Sequence, residues 1–89
     1  MQTVTLYSKS WCPFCVRAKR LLSSKNVTVT EIDVEREPAQ LTNMMTLSGQ
    51  RTVPQIWVGE THVGGCDDLF ALEYAGKLDS LLSTASETV

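Results

Sequence analysis

Along residues 3 to 7 (TVTLY), Val4 and Leu6 alternate with Thr3, Thr5 and Tyr7, and the β-branched and aromatic content predicts a strand. The period then changes. From Pro13 to Lys25 the apolar residues Phe14, Cys15, Ala18, Leu21 and Leu22 recur at helical spacing, leaving Arg17, Lys19 and Arg20 for an outer face. Proline suits a first helical turn, whose amides have no intrahelical partner anyway, and Asn26 suits the left-handed residue that ends a helix. Residues 27 to 34 (VTVTEIDV) predict a second strand whose mixed polar and apolar positions fit a sheet edge. Pro38 opens a second helix running to about Leu47, with Gly49 available for its C-terminal turn. QIWV (55 to 58) and HV (62 to 63) flank Gly-Glu-Thr, a hairpin in which Gly59 supplies the turn. A last helix is predicted from near Asp67 through Leu69, Phe70, Leu72 and Tyr74 to Gly76. One further apolar turn follows at Leu78, Leu81 and Leu82 before the end frays.

The order is therefore strand, helix, strand, helix, hairpin, helix. A strand-helix-strand unit favours a parallel pair with a right-handed crossover, and a hairpin adds antiparallel strands. The predicted class is α/β: a four-stranded mixed sheet, with two parallel and two antiparallel strands, flanked by about three helices. With 89 residues, 43% of them hydrophobic and 20% charged, and with no repeat or linker, residues 1–89 form one domain. No run approaches the roughly 18 apolar residues of a membrane span, and MQTVTLYSKS lacks the basic and apolar blocks of a secretory signal. The expected compartment is the cytoplasm, with no membrane partner. A net charge of -2 argues against general nucleic-acid binding. The charges are nonetheless sorted: Lys9, Arg17, Lys19, Arg20 and Lys25 fall in the first 25 residues, where there is no acid, and Glu31, Asp33, Glu35 and Glu37 then cluster. Two readings stay open, solvated faces or a positive field beside the cysteines that attracts an anionic partner.

Three cysteines is an odd number, unlike the dense even set of a disulfide-stapled secreted domain. Cys12 and Cys15 lie three apart in SWCPFC. That spacing brings Cβ atoms to about 5 to 6 Å on one helical face, within reach of a disulfide. A loop so short removes little unfolded-chain entropy, so a bridge here is suited to opening and closing rather than to stapling. Cys12 precedes the first helical turn, where unpaired amides, the helix dipole and the charge of Lys9 lower a thiol pKa, and it has no core to join; it is the candidate nucleophile. Cys15 falls on the apolar side with Ala18 and Leu22 and is expected to be the less exposed, resolving thiol. A zinc site using Cys12, Cys15, Cys66 and His62 is the structural alternative, although His62 is expected in a strand and Pro13 at a helix start.

YSKSWCPFC, SGQRTVPQIWV and HVGGCDDL, in that order and at those separations, resemble the three signature segments of glutaredoxins, above all the small bacterial dithiol class. The resemblance runs from Thr3 to about Leu82. It implies a thioredoxin-like fold and an enzyme, a glutathione-dependent thiol-disulfide oxidoreductase that reduces protein disulfides and glutathione mixed disulfides in cell redox homeostasis. By resemblance Cys12 attacks first, Cys15 resolves protein disulfides, and glutathione restores the dithiol. Glutathione is then a consumed co-substrate, with no tightly bound cofactor and no metal. The implied partners are glutathione and disulfide-containing or glutathionylated proteins, and the chain is expected to act as a monomer.

The same resemblance assigns glutathione contacts to Thr52, Val53 and Pro54, with Pro54 in the cis form. A residue before proline is biased to extended geometry, so the amide and carbonyl of Val53 can pair with a peptide as an added strand. Contacts are also implied at Gly65, Cys66, Asp67 and Asp68, where Gly64 and Gly65 permit close approach and a helix start offers amides to a carboxylate. Asp67 or Asp68 meets the γ-glutamyl ammonium or caps the helix. Lys9 and Arg51 face the glycyl carboxylate or simply solvent, and Gln40 stands where the family often places a polar or basic helper. Trp11, Pro13 and Phe14 complete the implied set, with Tyr7 and Trp11 candidates to shield the mixed disulfide. Cys66 either packs as a small apolar residue or is a secondary oxidation site. Pro13 and Cys15 depart from the single-cysteine members that hold an iron-sulfur cluster between subunits. A rival within enzymes is a thioredoxin-like redoxin fed by a flavoprotein, which Cys12-Pro13 and the TVP and GGCDD segments oppose.

Overall fold

The computed structural model describes residues 3–84 of the chain. Strands β1 (Val4–Ser8), β2 (Val29–Asp33), β3 (Gln55–Val58) and β4 (Thr61–Gly64) form one sheet in the order β2-β1-β3-β4. β1 pairs with β2 in parallel, Val4 opposite Val29, and with β3 antiparallel, Leu6 opposite Ile56. β3 and β4 close the hairpin, with an irregularity between Ile56 and Trp57. β2 therefore lies at an edge, as its mixed composition predicts.

Alternation along β1 and β3 sorts the core onto two faces. Val4, Leu6, Ile56 and Val58 point to one side, where Ala18 and Leu22 of α1 (Pro13–Ser24), Cys66 and Leu69 of α3 (Cys66–Tyr74), and Leu78 and Leu82 of α4 (Leu78–Thr84) pack on them. Tyr7 and Trp57 point to the other side, against Val34 and Met44, the latter from α2 (Pro38–Ser48). The fold is thus thioredoxin-like, a mixed sheet between helical layers.

Local chemistry sets the helix ends. Pro13 and Pro38 each occupy the first turn, Asn26 has φ 57° just after α1, and Gly49 caps α2 at φ 70°. α3 begins at Cys66, one residue before the expected start. The predicted single turn at the end is a seven-residue helix, α4, because Leu78 and Leu82, one turn apart, both reach the core. The expected fraying beyond it falls on residues 85–89, outside the described residues.

Tyr7 is buried edge-on against Trp57, ring centroids 5.3 Å apart, in the layer with Val34 and Met44, deeper than the half-buried strand surface that is the alternative to a shielding role. None of the helices among the described residues is long and apolar enough to cross a membrane.

Candidate functional site

Cys12 is the N-cap of α1, held extended at φ -128° and ψ 101°. Its sulfur accepts the Cys15 amide at 3.1 Å, and its thiol makes a long contact, 3.9 Å, to the Val53 carbonyl. Contrary to the sequence expectation, Cys12 does have a surrounding wall: only 9% of it is exposed, because the Thr52–Pro54 turn closes over it through Val53. Cys15 is more deeply set, 2% exposed on the inner face of α1 with Ala18 and Leu22. Burial, with the neighbouring Cys12 sulfur adding to it, pushes the Cys15 thiol up to about 12. All three cysteines are free thiols.

Beside the pair runs a groove of about 230 Å³. One wall is Thr52, Val53 and Pro54, with a cis Val53–Pro54 bond; the opposite wall is Gly65 with the first turn of α3, and Phe14 stands at one end. Eight of the residues implied by resemblance, Phe14, Thr52, Val53, Pro54, Gly65, Cys66, Asp67 and Asp68, thus share one cleft. The structure also separates the two aspartates. Both are exposed, but Asp68 accepts the Gly65 amide at 2.9 Å and so caps α3. Gly64, at φ 114°, admits this arrangement, since a Cβ there would run into the Asp68 carboxylate.

Lys9, Trp11, Pro13 and Arg51 are not brought into the groove wall; all four are exposed, Trp11 by 93%. Gln40 is turned to its own helix, accepting from Asn43 at 3.1 Å. Cys66 is buried at the joint between groove and core, and burial pushes its thiol up as well. Among the described residues no group of three or more His, Cys, Asp and Glu side chains is placed to hold a metal ion.

One residue that lines and supports the cleft, Gln55, is not singled out by the sequence. Gln55, 1% exposed, donates its amide to the Thr52 carbonyl at 3.0 Å and to the Thr52 hydroxyl and Gln50 Oε1 at 3.3 Å. A backbone carbonyl only accepts, so the amide nitrogen must face Thr52 and Oε1 must face His62 Nε2, 2.8 Å away. His62 therefore carries a proton on Nε2, and it stacks on Trp57 with centroids 4.5 Å apart. This buried chain fixes the 50–54 turn that carries Val53. The available signal was a glutamine in a strand otherwise made of Ile, Trp and Val.

Comparison with known proteins accords with this geometry. The glutaredoxin family model matches residues 4–63. A glutaredoxin of Pseudomonas aeruginosa is 55% identical over 83 residues, covering 93% of this chain and 99% of the relative. Glutaredoxin 3 of Escherichia coli is 49% identical over 82 residues, covering 92% and 99%. Among solved structures, the solution structure of a Brucella melitensis glutaredoxin is similar at TM-score 0.83 and 50% identity, covering 96% of this chain and 92% of that one. The crystal structure of a buckwheat glutaredoxin-glutathione complex is similar at TM-score 0.86 and 29% identity, covering 97% and 81%.

Proposed function

The chain belongs to the glutaredoxin family and is a thiol-disulfide oxidoreductase, and from that premise we propose that glutathione is its reductant, with Cys12 the attacking and Cys15 the resolving thiol. The observation that carries the proposal is the cleft of about 230 Å³ joined to Cys12 through Val53, with extended backbone on one wall and a helix N-terminus on the other. Glutathione is an extended peptide with two carboxylates and one ammonium. Val53 offers backbone pairing, the α3 amides suit a carboxylate, and exposed Asp67 suits the ammonium. Lys9 and Arg51, both exposed and outside the groove wall, are the basic residues assigned to the remaining carboxylate. The binding of glutathione by the buckwheat relative supports the same ligand here. Nothing in the mechanism requires a tightly bound cofactor.

The Cys12 thiolate attacks the sulfur of a glutathione-capped protein; the protein leaves as a thiolate, and glutathione stays on Cys12 as a mixed disulfide. A second glutathione thiolate then attacks this disulfide, releasing oxidised glutathione and the Cys12 thiolate. For a protein disulfide, Cys12 forms the mixed disulfide with one half. Cys15 then attacks the Cys12 sulfur, freeing the second protein thiol and leaving a Cys12–Cys15 disulfide for two glutathiones to reduce. Burial is the main cause that holds the proton on Cys15, with the neighbouring Cys12 sulfur adding to it.

The test is turnover of a small glutathione-capped disulfide and of a protein disulfide by three forms. Cys12→Ser is expected to lose both activities, and Cys15→Ser to retain the first and lose the second. Equal loss in both variants would contradict the division of roles.

A further inference from the structure

Folding neutralises only part of the basic run on α1. Lys19 pairs with Glu31 at 3.1 Å, and Lys25 joins Glu73 and Asp79 at 2.8 and 2.9 Å. Arg17 and Arg20 are exposed and make no ion pair among the described residues. With Leu21 and Phe70 they line a hollow of about 330 Å³ whose surface is almost wholly hydrocarbon. The Arg17 guanidinium lies over the Phe70 ring, 5.2 Å from its centre, a stacking that leaves its edge donors free for a carboxylate.

This hollow lies on the same two helices, α1 and α3, that contribute to the groove. Phe14, 53% exposed and part of the groove wall, precedes Arg17 by three residues and Leu21 by seven, so the three share a helix face. Phe70 belongs to α3, whose first turn forms the opposite wall. At 1.5 Å per residue, Arg17 and Arg20 lie about 7 and 12 Å along α1 from Cys12.

We propose that the arginine-flanked hollow docks the protein substrate, and that its occupant is an extended acidic segment with an apolar side chain, two to four residues from the target cysteine. The proposal rests on disulfide exchange at Cys12. Charge selects the acid, since two exposed guanidinium groups lack a carboxylate partner among the described residues; the hydrocarbon floor of Leu21 and Phe70 selects the apolar side chain. Reach sets the spacing, because an extended chain advancing about 3.3 Å per residue covers 7 to 12 Å in two to four residues. Arg17, Arg20, Leu21 and Phe70 all lie outside the glutathione groove, so the two ligands do not compete for side chains.

The experiment measures single-turnover reduction, by the fully reduced chain without glutathione, of synthetic peptides joined in pairs through one disulfide. One peptide carries Glu and Leu two to four residues from its cysteine; a second has Lys in place of Glu. Each is tried at low and high salt with the wild type, Arg17→Gln/Arg20→Gln and Arg17→Glu/Arg20→Glu. The wild type should favour the acidic peptide about tenfold at low salt, less at high salt. The glutamine variant should lose the preference and the glutamate variant reverse it, with turnover of a small glutathione-capped disulfide unchanged in both. A wild type with no preference, or a preference that survives both double substitutions, would overturn the proposal. Loss of only the glutathione-capped activity in the wild type would contradict the glutathione reading and leave the peptide preference standing.

Discussion

At neutral pH Cys15 keeps its proton because burial strips away the water that would stabilise its anion, and the adjacent Cys12 sulfur adds to that cost. This has a consequence for stability. The folded value, about 12, lies above the ordinary 9.0, so the native state retains a proton that the unfolded chain releases. The stabilisation is complete below pH 9 and is lost as pH rises towards 12, with an upper bound of ~4 kcal/mol for a three-unit shift. Denaturant midpoints are expected to fall across that window, and to fall less steeply in Cys15→Ser; the same slope in both proteins would argue against a buried neutral thiol. Cys66 is shifted in the same direction and should leave a smaller residual slope. Gln55 acts differently, through the turn it holds. Gln55→Leu should raise KM for a glutathione-capped disulfide several-fold while the alkylation rate of Cys12 at pH 7 stays as it was. A raised KM together with a changed Cys12 alkylation rate would indicate a general loosening instead.

Element ends define the site, and most were legible because they are matters of local backbone chemistry: Pro13 and Pro38 at helix starts, Asn26 and Gly49 at helix ends, Gly59 in the hairpin. The α3 start was placed one residue late because Gly65 caps it without a side chain, and the carboxylate that completes the cap comes from Asp68 inside the helix. The two aspartates should therefore separate in experiment. Asp68→Ala should cost about 1 kcal/mol of stability through the lost cap and also weaken glutathione use. Asp67→Ala should weaken glutathione use at little cost in stability. Identical stability losses would show that the capping assignment is wrong. The sequence predicts only a single turn where α4 forms, because seven residues carry too little periodicity to show a helix, and its existence depends on where Leu78 and Leu82 land.

Across the whole molecule, the parallel pair and the hairpin follow from connection rules, whereas the sheet order and the neighbours that burial creates do not. Strand-helix-strand accounts for β1 beside β2 and the short connection for β3 beside β4, but neither specifies that β3 pairs with β1. Tyr7 against Trp57 and the wall over Cys12 join residues far apart in the chain, and the Gln55–His62 bond crosses the hairpin between side chains that no local pattern pairs. The cysteine pair itself was legible since its asymmetry depends only on N-cap against helix face. The core beneath it is shared by α1, α3 and α4, and Lys25 at the end of α1 ties to Glu73 and Asp79 across that packing. Leu82→Ala should thus lower stability by about 2 to 5 kcal/mol while leaving the relative reactivity of the two thiols intact, as read by unfolding and by alkylation. The most direct test of the account is alkylation of the reduced wild type across pH 5 to 12, with each cysteine quantified separately by peptide mass. The account predicts that Cys12 is modified at neutral pH while Cys15 stays protected until the solution approaches pH 12. Indistinguishable profiles for the two cysteines would contradict it.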